Sequence, residues 1–132
     1  MKKLMLFAFL GFLSNSLVAQ NPTCGAVVSA SATCITGIGS DSVEFSWTII
    51  VNQNCVPTRM ELQIESSGPP AYCQPNVDNI YRIDLGTDPN GTTYELTESE
   101  VGTLCFRWRI RPLCDCGTSS WSDWSDFDFN DC

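Results

Sequence analysis

The chain has no histidine, and its only lysines, Lys2 and Lys3, stand at its extreme start. Without His it lacks the commonest neutral-pH general base and the commonest metal ligand, and without further Lys it lacks the Schiff-base amine. Positive charge is scarce as well: beyond residue 19, five arginines (59, 82, 107, 109 and 111) face fifteen Asp and Glu. So acidic a chain lacks the basic contacts to phosphate that drive nucleic-acid binding, and its charge disfavours docking on an anionic membrane surface. After the first twenty residues there is no apolar run of ~18–20 residues, so no membrane insertion is expected of the remainder. Sustained helical spacing, heptads, internal repeats and low-complexity tracts are also missing.

What is present begins with a leader. Residues 1–19 carry a basic start, an apolar run from Leu4 to Leu13 and a small residue, Ala19, before Gln20. This is the three-part construction of a secretory signal peptide, which makes residues 20–132 the expected mature product, one exported domain. All eight cysteines (Cys24, Cys34, Cys55, Cys73, Cys105, Cys114, Cys116 and Cys132) follow the leader. An even count in a small exported chain predicts about four disulfides formed in an oxidising compartment, each contributing roughly 2–4 kcal/mol, with the pairing left open. Zinc is a poor competitor, because Cys114-Asp115-Cys116 has one intervening residue where zinc knuckles use two to four. No metal and no cofactor is expected.

The periodicity that does appear is two. Over residues 42–51, Val43, Phe45, Trp47, Ile49 and Val51 alternate with Ser42, Glu44, Ser46 and Thr48, the pattern of a half-buried strand. Residues 59–65 repeat it, with Met60, Leu62 and Ile64 against Arg59, Glu61, Gln63 and Glu65. Residues 105–111 show it again, with Phe106, Trp108 and Ile110 against Cys105, Arg107, Arg109 and Arg111. Weaker strands are predicted over 26–34, 80–85 and 92–96. Turn clusters separate them, among them Asp88-Pro89-Asn90-Gly91. Short alternating strands at this spacing predict an all-β fold, a single antiparallel sandwich, rather than a parallel sheet with helices on both faces.

Near the C-terminal end stands Trp121-Ser122-Asp123-Trp124-Ser125, preceded by Arg107-Trp108-Arg109-Ile110-Arg111. These residues resemble the WSxWS signature and arginine-rich strand of fibronectin type III domains of the class I cytokine receptor style. The resemblance covers about residues 26–129, and its sharp part is some twenty residues long. It implies a type III or immunoglobulin-like sandwich in which Arg107, Arg109 and Arg111 alternate with Trp121 and Trp124. The spacing suits such a stack, because alternate strand residues project about 6.6 Å apart, enough for a flat ring between two guanidinium planes. Two Trp three residues apart face the same way in a backbone with three residues per turn. Each contact would contribute ~0.5–2 kcal/mol. In that family the ladder is architectural and ligands meet loops. A weaker resemblance, to thrombospondin type 1 repeats, rests on WSxWS alone; there a CxxxCG-like element follows the Trp motif, whereas here Cys114-Asp115-Cys116-Gly117 precedes it. Both resemblances make WxxW a candidate C-mannosylation sequence in a eukaryotic host.

Other candidate chemistry is thinner. Asp126, Asp128 and Asn130 copy the first ligand positions of a calcium loop without its Gly or distal Glu, and read better as a solvated acidic edge. Asn90-Gly91-Thr92 is a glycosylation sequon on a predicted turn. Glu61 and Glu65 could be taken for a glycosidase-like pair, but a solvated strand face is the simpler reading. No Ser or Cys has a plausible base nearby, so the chain is not expected to be an enzyme. The expected function is that of a secreted, non-catalytic binding or adhesion module recognising an extracellular protein or glycan through loops. The best loop is 66–79, where Pro69, Pro70, Tyr72 and Gln74 are the candidate contacts and Cys73 a pin. The alternative is a secreted inhibitor or effector that presents a disulfide-framed loop to one target protein.

Overall fold

Period-two alternation becomes strand after strand. The computed structural model describes residues 23–68, 73, 76–117 and 119–132; the expected leader 1–19 and loop contacts Pro69, Pro70, Tyr72 and Gln74 lie outside the described residues. Its strands are β1 (Gly25–Ile35), β2 (Ser42–Val51), β3 (Arg59–Ser66), β4 (Asp78–Asp84), β5 (Tyr94–Thr97), β6 (Cys105–Leu113) and β7 (Ser125–Asp128). They form two antiparallel sheets, one ordered β1-β2-β5 and the other β4-β3-β6-β7. The architecture is an all-β antiparallel sandwich joined by four disulfides.

The alternating residues of the three strongest strands make the core. Val43, Phe45, Trp47 and Ile49 of β2 face Met60, Leu62 and Ile64 of β3 and Phe106, Trp108 and Ile110 of β6, all buried. Phe45 meets Trp108 edge-on with ring centroids 5.0 Å apart, a favoured geometry for an aromatic pair. The tail carrying Asp126, Asp128 and Asn130, expected to be a solvated acidic edge, supplies apolar mass as well. Asp126 is exposed at the strand edge, but Phe127 stacks on Phe106 at 5.2 Å and Phe129 is buried beside both.

Two departures from the strand pattern have local causes. A single helical turn, α1 (Glu98–Val101), interrupts the path from β5 to β6. Its signal is a capping box, in which the Thr97 hydroxyl accepts from the Glu100 N–H while the Glu100 carboxylate accepts from the Thr97 N–H. Pro112 lies inside β6, where a missing N–H would normally break a ladder. It is in phase with Ile110, whose N–H and C=O bond Ser122 rather than β3, so the β3 pairing is untouched.

The bridges divide evenly between the two ends of the sandwich. At one end Cys24–Cys114 ties the start of β1 to the residue after β6, and Cys55–Cys116 ties the β2–β3 connection to the same stretch between β6 and β7. At the other, Cys34–Cys132 ties the end of β1 to the last residue, and Cys73–Cys105 ties the 66–79 connection to the start of β6. Sequence separations of 90, 98 and 61 in three of them remove large loops from the unfolded ensemble, worth about 4–5 kcal/mol each in the chain-entropy account.

Two measurements check this packing. In urea unfolding, Phe45→Ala is expected to cost about 3–5 kcal/mol, whereas Ile38→Ser, at a fully exposed loop position, should change stability by less than about 0.5 kcal/mol. The Thr97 N–H, and then its hydroxyl, hold the Glu100 carboxyl below the ordinary glutamate value. A value depressed by folding means a contribution that is complete above the unfolded-state value and lost as pH falls through the folded-state one. An NMR titration of Glu100 should therefore show a midpoint below that of an unfolded chain, and Thr97→Val should raise it part of the way back.

Candidate functional site

Antiparallel pairing sets the site. β3 and β6 run in a register that places Glu61 opposite Arg111, Gln63 opposite Arg109 and Glu65 opposite Arg107. These odd-numbered residues share the outer face of the four-stranded sheet, since their even-numbered neighbours point into the core. Each arginine is consequently held by the residue across from it. Glu65 accepts from Arg107 at 2.6 and 2.9 Å, the Gln63 side-chain amide oxygen accepts from Arg109 at 2.9 Å, and Glu61 accepts from Arg111 at 2.7 and 3.0 Å. The other oxygen of Glu61 accepts from Arg82 of β4 at 3.4 Å.

The tryptophans lie between the planes so fixed. The Arg107 and Arg109 guanidinium carbons are each 4.4 Å from the Trp124 ring centre, and those of Arg109 and Arg111 are 4.6 and 4.2 Å from Trp121. The five layers run Arg107, Trp124, Arg109, Trp121, Arg111. Ser122 fastens the segment to β6: its N–H donates to the Ile110 carbonyl at 2.8 Å and its hydroxyl accepts from the Ile110 N–H at 3.0 Å. Both faces of each indole are taken by cations, so a ligand ring finds no open Trp face inside the stack. Chemically this is a rigid clamp of the 119–125 segment against β6.

Glu61 departs from the expected solvated face, whereas Glu65 stays partly exposed beside Arg107. Glu61 is only 4% exposed, covered by Arg111 and Arg82, and neither carboxylate contacts the other. The sequence alone does not show these partners, because strand register sets them. An Arg-x-Arg-x-Arg strand and a Glu-x-Gln-x-Glu strand are complementary in antiparallel order.

The remaining candidates separate. Asp128 caps the final turn, its carboxylate accepting from the Asn130 N–H and side-chain amide at 2.8 Å, so that amide turns a donor toward it rather than an oxygen toward a cation. Cys24, Cys55 and Cys114 bring their sulfurs within 4.8 Å of one another, but each is in a disulfide and none is a thiolate. Asn90 of the sequon accepts from the Ile49 N–H at 2.8 Å, and Pro89 accepts from the Trp47 indole at 3.0 Å. These two bonds hold the Asp88–Gly91 turn against β2 beyond the end of β5.

A second feature stands at the end where β6 begins. A cavity of about 330 Å³ is lined by Ser67, Gly68, Phe106, Asp126, Phe127, Asp128 and Asp131, directly beside the Cys73–Cys105 bridge. Its rim is anionic on one side and the 66–79 connection borders it on the other. The sequence named this loop but not the acidic wall, because Asp126 and Asp131 reach it only through the folding back of the tail.

Among the described residues no helix is long and apolar enough to cross a membrane. Comparison with protein-family models and with curated protein sequences finds no match.

Arg109 sits between both indoles, so Arg109→Ala should lower stability by about 1–3 kcal/mol and change tryptophan fluorescence, without opening a core cavity. Unchanged melting and unchanged fluorescence together would show that the stack does not hold the segment.

Proposed function

We propose that this protein is a secreted, non-catalytic binding or adhesion module of fibronectin type III character. It recognises an extracellular protein or glycan through the loops at one end of its sandwich. The observation that carries this reading is the Cys73–Cys105 bridge, which pins the 66–79 connection against β6 beside a cavity walled by Asp126, Asp128 and Asp131. A loop held covalently loses little freedom on binding, so its contacts convert into affinity with a smaller ordering cost. The type III reading is supported by the three-plus-four strand arrangement and by the stacking of Trp121 and Trp124 between arginines. Export is supported by the leader-like residues 1–19 and by four bridges that suit an oxidising compartment.

The same pinned loop favours a second reading, an inhibitor or effector that offers the loop to one target protein. A pull-down with oxidised residues 20–132 from surface and secreted extracts, with reduced protein as control, tests the site and separates the two. The binding reading expects capture that is lost on reduction and weakened at least tenfold by Tyr72→Ala with melting unchanged. Several surface proteins or glycans fit adhesion, and one stoichiometric protein fits inhibition. Capture that survives replacement of residues 69–72 by Gly and Ser would overturn the loop as the site.

A further inference from the structure

β1 is the outer strand of the three-stranded sheet, and its far edge is unpaired among the described residues. A free edge presents a row of main-chain donors and acceptors, which proteins normally guard with charge, proline or shortness. The other edges here are guarded: β4 carries Asp78, Arg82 and Asp84, β5 is four residues long with Glu95, and β7 carries Asp126 and Asp128. β1 is eleven residues long, Gly-Ala-Val-Val-Ser-Ala-Ser-Ala-Thr-Cys-Ile, without a charge or a proline.

What lies beside that edge is the clamped 119–125 segment. Two contiguous clefts of about 290 and 350 Å³ separate them, the first between residues 23–27 and 120–122, the second between Val27–Ala30 and Trp121–Ser125. They share Val27, Trp121 and Ser122 and so make one groove. No hydrogen bond joins β1 to this segment among the described residues. Within the groove β1 has its bulge, where the register passes from Val27 to Ser29 and leaves Val28 as the extra residue, 59% exposed. The far wall carries Asp123, exposed, whose carboxylate has no hydrogen-bond or ion-pair partner among the described residues.

We propose that this groove is a binding site for an extended peptide strand of a basic partner, which adds to the β1 edge and sets an Arg or Lys against Asp123. Main-chain pairing supplies affinity in such strand addition, and the side-chain contacts supply selectivity. The eight positions 23–30 offer about 26 Å of edge, enough for a seven- or eight-residue strand. Charge chooses the occupant. β1 brings no cation, Arg107, Arg109 and Arg111 are spent in the ladder, and five arginines face fifteen acids beyond residue 19. A second copy joined edge to edge would bring two such chains and two Asp123 carboxylates together, which repulsion opposes. On this reading the tryptophan–arginine stack fixes the width of the groove.

The test is selection of random octapeptides displayed on phage against oxidised residues 20–132, followed by titration of the winning synthetic peptides. Enriched sequences are expected to alternate β-branched residues and to carry Arg or Lys. They should protect β1 amides from hydrogen exchange and lose at least tenfold in affinity with Asp123→Asn and with Val28→Lys, both exposed changes that leave the fold intact. Tyr72→Ala, which probes the loop end, should leave this binding unaltered, so the two sites fail independently. Peptides without basic residues, β1 amides that stay unprotected, binding indifferent to both variants, or a concentration-dependent dimer that protects β1 in place of peptide would each overturn the proposal.

Discussion

The pairing of β3 with β6 is the interaction on which the rest depends. One antiparallel ladder places Met60, Leu62 and Ile64 beside Phe106, Trp108 and Ile110 on its inner face, and Glu61, Gln63 and Glu65 beside Arg111, Arg109 and Arg107 on its outer face. A slip of one residue would send every apolar side chain to solvent and every arginine into the core. The core and the ladder are therefore two readouts of the same register. The guanidinium planes are held from across the strand pair as well as by the indoles, so the stack orders a segment that has no strand pairing of its own until Ser125.

Glu61 shows how the outer face acquires depth. A carboxylate left alone at 4% exposure would be costly, yet it takes two hydrogen bonds from Arg111 and one from Arg82 on the opposite neighbour. Three strands are thus joined across a face that would ordinarily be wet, and the cover includes Trp121 stacked on Arg111. A sandwich of this size has a modest core. At Glu61 and at Glu65 two guanidinium N–H groups converge on one carboxylate oxygen, which makes the outer face a second source of specificity for register.

Much of the fold was legible in the sequence because β2, β3 and β6 alternate without interruption, and the turn tetrad 88–91 ends where it should. β7 was not, because Ser-Asp-Phe-Asp is short and becomes a strand only through pairing with Cys105–Trp108. α1 was hidden in a four-residue turn whose only mark is Thr97 three residues before Glu100. Of the site, the five ladder residues could be named from spacing and from a resemblance. Their β3 partners could not, since burial of Glu61 is a property of register rather than of local pattern. The acidic wall of the loop-end cavity was equally invisible, because it depends on where the last ten residues return.

The placement of the bridges has a mechanical consequence. Cys24 stands ten positions before Cys34 along β1, and Cys34 is bonded to Cys132. The shortest covalent path between residues 24 and 132 therefore runs along one strand and across one bridge. Ten residues reach at most about 36 Å, and as a strand they already span about 33 Å. Force applied between those two points finds almost no hidden length to release, whatever happens to the non-covalent core. An unbridged sandwich stretched in the same way would pay out its whole chain. This one transmits tension along β1 as a nearly inextensible link, the same strand whose other edge is left open.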